Sequence, residues 1–341
     1  MADTQYNTSW FDQARFIPAD AIFALTAQYQ ADPFPQKVNL GQGTYRDENG
    51  KPWVLPSVRK AREALLEQGL QHEYLPILGL KQFRDQTAQL VLGPELYKEQ
   101  ASKIATCQSL SGTGALHLAG LLLKACHTEL PKVYIPEPTW SNHYQVFQSL
   151  GFSCEPFKYY DPESKSLDID SYYSMLCTAA PNSVVILHAC AHNPTGFDPT
   201  KEQWREIAQI MKTRQLFPIF DSAYLGFNSG NLDEDAFAIR LFMGEFNMEA
   251  GVCVSFAKNM GLYATDDEQV TVRTQSMLEM LQRSEVSNPP GFGAKIASEV
   301  LGNDALRIQW YQDMVTMSDR IRSMREILYK GLVSFGESRR T

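Results

Sequence analysis

The chain has 341 residues, with 31 Lys+Arg against 39 Asp+Glu and a formal net charge of −8. Hydrophobic residues at 44% and charged residues at 21% are globular proportions, which excludes an intrinsically disordered chain. The acidic balance argues against a nucleic-acid or anionic-membrane surface, since both reward clustered positive charge, yet it leaves room for a local basic pocket.

In chain order, the opening MADTQYNTSWFDQARF has no apolar run fit for a secretory leader, and its two acids spoil an Arg-rich transit peptide. No stretch approaches the ~18 apolar residues of a membrane span. Six scattered cysteines, with no C-x-x-C pair, read as reduced and mostly buried thiols. The expectation is a cytoplasmic protein. From about residue 112 to 260, short β-branched runs alternate with amphipathic stretches. Val133–Pro136, Val184–Cys190, Pro218–Asp221 and Gly251–Phe256 predict buried strands. Gly112–His127, Ser141–Leu150, Thr200–Thr213 and Asp235–Glu245 predict helices, the third opened by Asp198-Pro199-Thr200. From Asn303 to about Leu332, apolar residues three and four apart predict one or two long helices. Such alternation implies an α/β fold, a mostly parallel sheet sandwiched by helices, with ligands gathered beyond the carboxyl ends of the strands.

Several short motifs fail on inspection. Gly112-Thr113-Gly114 and Gly41-Gln42-Gly43 each begin a dinucleotide fingerprint, but the third glycine is replaced by His117 and Arg46. Ser255-Phe256-Ala257-Lys258 matches S-x-x-K, without the S-D-N and K-T-G that a penicillin-recognising enzyme requires. In His188-Ala189-Cys190-Ala191-His192, a strand would put His188, Cys190 and His192 on one face. No H-E-x-x-H or second cysteine cluster completes a metal site, so two histidines bonding in a polar strand end is the better reading, and no metal is expected.

What remains is a set of residues at successive strand ends. Ser111-Gly112-Thr113 opens a helix, where free N–H groups and the positive dipole end suit a phosphate. Trp140 follows the first strand, Asn193-Pro194-Thr195-Gly196 the second, Asp221-Ser222-Ala223-Tyr224 ends the third, and Ser255 to Lys258 ends the fourth. Each alone has a plain structural explanation: a cap, a core aromatic, a turn, a solvated charge, a snorkelling lysine. Together they offer what pyridoxal phosphate demands: a lysine amine, a phosphate cradle, an aromatic face, a carboxylate for the ring nitrogen and donors for the phenolic oxygen.

At this point the sequence resembles the aspartate aminotransferases, of the class I branch of fold type I pyridoxal-phosphate enzymes. The resemblance runs from about Asp20 to Phe335 through VNLGQGTYRD, GKPWVLPSV, HEYLPILGL, QSLSGTGAL, PTWSNH, LHACAHNPTG, FDSAYLGF, SFAKNMGLY and SNPPGFGA, and its wording is nearest to the eukaryotic cytosolic forms. It implies that Lys258 holds the cofactor and moves the substrate proton, with an amine that must be neutral to attack. It implies that Asp221 keeps the pyridine nitrogen protonated, with His143 and His188 behind it. Tyr224 and Asn193 would bond the phenolic oxygen, and Trp140 would stack on the ring. Ser111, Gly112, Thr113 and Ser255 would hold the phosphate, with Tyr74 arriving from a second subunit of a homodimer. Gly43, Trp140 and Asn193 would line the substrate, and Arg283 would reach across the dimer to its distal carboxylate, which a planar guanidinium binds bidentately.

The resemblance also implies a domain division: residues 1–48 as an N-terminal arm and the first part of a small domain, 49–318 as a large cofactor-binding domain, and 319–341 as a long helix starting the remainder of the small domain. Three departures stand out. After Gly261-Leu262-Tyr263 the family continues with asparagine, glutamate and a phosphate-clamping arginine, where this chain reads Ala264-Thr265-Asp266-Asp267-Glu268, with Arg273 as a candidate substitute. The family's α-carboxylate arginine belongs to a segment beyond Thr341, so the small domain is expected to be incomplete here. Gln42 stands where the family has a small apolar residue. Two readings follow. One is an aspartate aminotransferase exchanging the amino group of L-aspartate with 2-oxoglutarate by a ping-pong cycle. The other is a relative that binds cofactor or dimerises without turnover.

Overall fold

The computed structural model describes residues 14, 21–39, 43–69, 73–260 and 272–338. The Ala264–Glu268 run, Gly41 and Gln42 lie outside them, as does the side chain of Arg273. The chain divides into two compact units, Met1–Pro52 and Trp53–Thr341. In the first, helix α1 (Ala21–Ala31) ends where Lys37 Nζ donates to the carbonyls of Tyr29 and Asp32, both at 2.7 Å, so a cation meets the negative end of the helix. A tight turn at Asp47–Gly50 brings Arg46 into a bridge with Pro52.

The second unit opens with α2 (Pro56–Glu67), α3 (Lys81–Leu92), α4 (Pro94–Gln100) and α5 (Ser111–Cys126). Strand β1 (Val133–Glu137), helix α6 (Asn142–Ser149), β2 (Cys154–Lys158) and the small antiparallel pair β3 (Tyr160–Asp161) and β4 (Ser166–Leu167) follow. Next come α7 (Ile169–Thr178), β5 (Val184–His188), α8 (Lys201–Thr213) and β6 (Phe217–Ser222). The short helices α9 (Leu232–Asp235) and α10 (Phe237–Arg240) run into a π-turn at Leu241–Glu245, and β7 (Gly251–Val254) closes the sheet. Helices α11 (Val272–Glu285), α12 (Gly291–Gly302) and α13 (Asp304–Ser338) complete the unit.

The main sheet is five-stranded in the order β2-β1-β5-β6-β7, and every pairing is parallel. All five residues of β5 are buried, as a central strand covered on both faces requires. Helix α5 lies against it: Ala115, Leu116 and Ala119 meet Val133, Ile135, Val184, Ile186, Ile219 and Cys253 in one core. The chain goes outward from β1 to β2 and then returns to β5 on the other side of β1. That reversal makes the β1/β5 gap a topological switch point, the usual ligand crevice of such sheets.

The strands and helices predicted between 112 and 260 appear within two residues, with two corrections, and the long helix predicted to about Leu332 runs on to Ser338. The strand predicted over Val184–Cys190 stops at His188, and Ala191 takes a left-handed φ of +50°, so His188, Cys190 and His192 do not share a strand face. The helix predicted over Asp235–Glu245 is broken into α10 and the π-turn. Strand β2 went unpredicted because CEPFK carries Pro156 and two charges. Its place at the sheet edge is where a proline is tolerated.

Helix α13 is a single rod of 35 residues, ~52 Å at 1.5 Å per residue. Its first half is core: Trp310, Met314 and Met317 are fully buried. Buried Asp313 accepts from the Ser57 N–H at 3.0 Å and from its hydroxyl at 2.6 Å, capping the otherwise unsatisfied start of α2. The second half exposes Met324, Ile327, Leu328, Tyr329, Leu332 and Phe335.

Candidate active site

Parallel pairing puts the strand ends at one edge. His188, the last residue of β5, is in register with Asp221 of β6, and Asp221 with Cys253 of β7. The chain therefore leaves the sheet at Trp140, Asn193, Tyr224 and Lys258 on the same side. Asp221 is buried, and His143, wholly buried on α6, meets its Oδ2 through Nε2 at 3.0 Å. Behind His143, the Thr139 hydroxyl lies 2.8 Å from its Nδ1 and 3.3 Å from His188 Nε2. The Asn193 N–H in turn donates to His188 Nδ1 at 3.4 Å.

These contacts fix a direction. Because Asn193 donates to Nδ1, neutral His188 carries its proton on Nε2 and donates to Thr139. Thr139 then donates to His143 Nδ1, and His143 Nε2–H donates to Asp221. Every donor along the chain points at the carboxylate. Burial alone would favour protonated Asp221, but the hydrogen bond from His143, with Lys258 nearby, outweighs it and holds the carboxyl below its ordinary range. Burial and the neighbouring His143 push His188 down to about 3, against an opposing pull from Asp221. It stays neutral at physiological pH.

Lys258, half-buried after β7, sets its Nζ 5.4 Å from the centre of the Tyr224 ring. The Trp140 indole stands edge-on to His143 at 5.5 Å between centroids. Ser255 is buried one residue beyond β7. At the start of α5, Ser111 has φ +64°, a left-handed conformation unusual for a residue with a side chain. Gly112 and Thr113 follow it into the helix, whose first N–H groups are free of intrahelical partners.

The structure thus gathers Asp221, His143, His188, Asn193, Trp140, Tyr224, Lys258 and Ser255 at one sheet edge, and places Ser111, Gly112 and Thr113 at the mouth of the helix that packs on it. Tyr74 is 84% exposed, and Arg283 is an exposed residue near the end of α11 with its guanidinium on Ser287. Gly43 is exposed in the first unit. Among the described residues, no group of His, Cys, Asp or Glu is arranged to hold a metal ion. Sequence reasoning missed Thr139, whose only signal was its place in Pro138-Thr139-Trp140. His192, read as one of two hydrogen-bonding histidines, is buried, stacks on Tyr159 at 3.8 Å between centroids and bonds Thr195 through Nδ1 at 2.8 Å.

The donor set suits a pyridine ring bearing an aldehyde and a phosphate. A carboxylate kept ionised while buried is matched to a protonated ring nitrogen, an amine beside it to an aldehyde, and a helix start with free N–H groups to a phosphate dianion. Comparison with known proteins agrees. The profile described as "Aminotransferase class I and II" matches residues 35–339. The chain belongs to the class I and II aminotransferases. It is 45% identical over 320 residues to the mitochondrial aspartate aminotransferase of Schizosaccharomyces pombe, covering 91% of this chain and 72% of that one. The aspartate aminotransferase from Saccharomyces cerevisiae cytoplasm superposes with a TM-score of 0.90 at 39% identity, covering 96% of this chain and 83% of that one. An aromatic-amino-acid aminotransferase from Burkholderia pseudomallei, covalently bound to pyridoxal phosphate, superposes at 0.89 with 36% identity, covering 94% and 82%. The architecture of this aminotransferase is accordingly the fold type I transferase, its cofactor pyridoxal phosphate and its chemistry transamination.

Proposed function

We propose that this aminotransferase exchanges the amino group of L-aspartate with 2-oxoglutarate, working as a homodimer. Aspartate is favoured by the aspartate aminotransferases among its relatives and by Arg283, whose planar fork suits a second substrate carboxylate. The observation that carries the reading is the ionised, buried Asp221, fed by a one-way chain of donors, on the same edge as Lys258.

When bound, pyridoxal phosphate supplies an electrophilic carbon and an electron-withdrawing ring. The residues of this chain would do the rest. Asp221 holds a proton at the ring nitrogen, and the His143–Thr139–His188 chain keeps that carboxylate charged and aimed. Ser111, Gly112, Thr113 and Ser255 bind the phosphate, Trp140 covers the ring, and Asn193 and Tyr224 bond the phenolic oxygen. Lys258 Nζ takes the proton from the substrate Cα. All of these fall within 49–318, the stretch read as the cofactor-binding body.

Dimerisation is part of the proposal because the family resemblance brings Tyr74 and Arg283, both exposed in the single chain, to the site from a second copy. Sedimentation of the cofactor-loaded protein tests it: about twice the 38.5 kDa chain mass is expected, and a monomer would exclude it. The competing reading, a cofactor-binding body without turnover, draws on Ala264–Glu268 standing in place of the family's arginine. Borohydride reduction after cofactor addition tests the shared part of both. The cofactor mass should be fixed on the peptide carrying Lys258, and its attachment elsewhere would overturn the assignment.

A further inference from the structure

Helix α13 touches the loops that carry Lys258 and Tyr224 along one stripe. Trp310, Met314 and Ser318 are spaced four apart, so they share a helix face, and all three are buried. Trp310 Nε1 donates to the carbonyl of Asn259, the residue after Lys258, at 2.8 Å. One turn on, Met314 lies over Gly226, where φ is +75° and an added Cβ would stand 2.4 Å from the Met314 sulfur. One turn further, Ser318 donates to the Asn228 carbonyl at 3.0 Å.

Asn259 ties the two loops to each other. Its side-chain Nδ2 donates to the carbonyl of Leu225, the residue after Tyr224, at 3.0 Å. The residue is 1% exposed, and its Oδ1 is buried with no partner. A flipped amide would set oxygen against the Leu225 carbonyl, so the donor is held at the expense of an unsatisfied acceptor.

We propose that Asn259, backed by Trp310, is a positioning residue that fixes the separation of Lys258 and Tyr224. It acts through the Lys258–Asn259 and Tyr224–Leu225 backbone and touches no substrate. The inference rests on the functional reading of Lys258 and Tyr224 given above. Loosening either hydrogen bond lets the amine and the phenol move independently. The proton affinity of the lysine-bound cofactor then changes, and the geometry for proton transfer is lost more than substrate binding is.

The test uses the full chain loaded with pyridoxal phosphate, as wild type, Asn259→Leu and Trp310→Phe. Leucine approximates the shape of asparagine without its donor, and phenylalanine keeps an aromatic ring without the indole N–H. The readouts are the pH titration of the visible cofactor band, kcat and KM for aspartate, and the thermal midpoint. The expected result is a titration midpoint moved by about half a unit or more and kcat down ~10-fold with KM within ~3-fold. Variants that melt earlier but titrate and turn over as wild type would overturn the proposal. Should Asn259→Leu not fold, Trp310→Phe decides by the same criteria. A wild-type chain that forms no band overturns the functional reading and this inference with it, whereas a band indifferent to both variants overturns the inference alone.

Discussion

Replacing His192 with asparagine turns the electrostatics of the switch-point loop into a measurable stability difference. His192 is 1% exposed, stacks on Tyr159 and has a buried Nε2 without a partner. Burial, with His188 and His143 adding to it, pushes its pKa down to about 2. A histidine whose folded pKa lies below its unfolded value, about 6.5, contributes stability that is present above 6.5 and lost as pH falls. Below that pH the unfolded chain takes up a proton that the folded chain refuses, at a limiting slope of about 1.4 kcal/mol per pH unit. Integrated from pH 7 to pH 5, the loss at this one site comes to about 2 kcal/mol. Asparagine does not titrate and can still bond Thr195. Urea unfolding of the apoprotein, followed by far-UV circular dichroism at pH 7, 6 and 5, should show wild type losing about 2 kcal/mol more than His192→Asn over that range. Parallel stability curves for the two proteins would falsify the claim that His192 is held neutral.

Three further outcomes follow from other contacts. Asp313→Ala removes the Oδ2 that accepts both hydrogen bonds from Ser57 and uncaps α2 against α13, and urea denaturation should register a loss of about 2–3 kcal/mol; under ~0.5 kcal/mol would mean that the cap is replaced by water. Gly79 has φ +89°, and a Cβ there would stand 2.3 Å from Gln108 Cβ, so Gly79→Ala should destabilise by more than ~2 kcal/mol in the same assay. Asp221→Asn removes the charge that His143 supports, and stopped-flow kinetics with aspartate should show the half-reaction slowed by ~10² or more; a near-wild-type rate would remove Asp221 from the mechanism.

Much of this was legible in the chain. Strands β1, β5, β6 and β7 are short apolar runs between amphipathic helices, and the residues after each of them are the ones gathered at the site. Thr200 caps α8 with Gln203 in a reciprocal box, a local pattern whose effect needs no tertiary context. What stayed hidden depended on distant partners. Glu155 and Lys158 disguised β2, since such charges suit a strand where an edge position leaves them partly in water. Thr139 and Asn259 look like ordinary polar loop residues until the fold brings His188 to one and Leu225 to the other, 49 and 34 residues away in sequence. The Asn193-Pro194-Thr195-Gly196 turn was visible, but the stop at His188 was not. The left-handed turn at Ala191 is held by Asp198 accepting from the N–H groups of Ala191 and His192, seven and six residues away.

The most direct test of the account is the visible absorption spectrum of the purified chain with added pyridoxal phosphate, before and after L-aspartate. The account predicts a yellow band from cofactor bound at Lys258, which bleaches when aspartate donates its amino group and returns with 2-oxoglutarate. A band that forms and ignores aspartate would contradict the proposed activity, and the absence of any band would contradict the site itself.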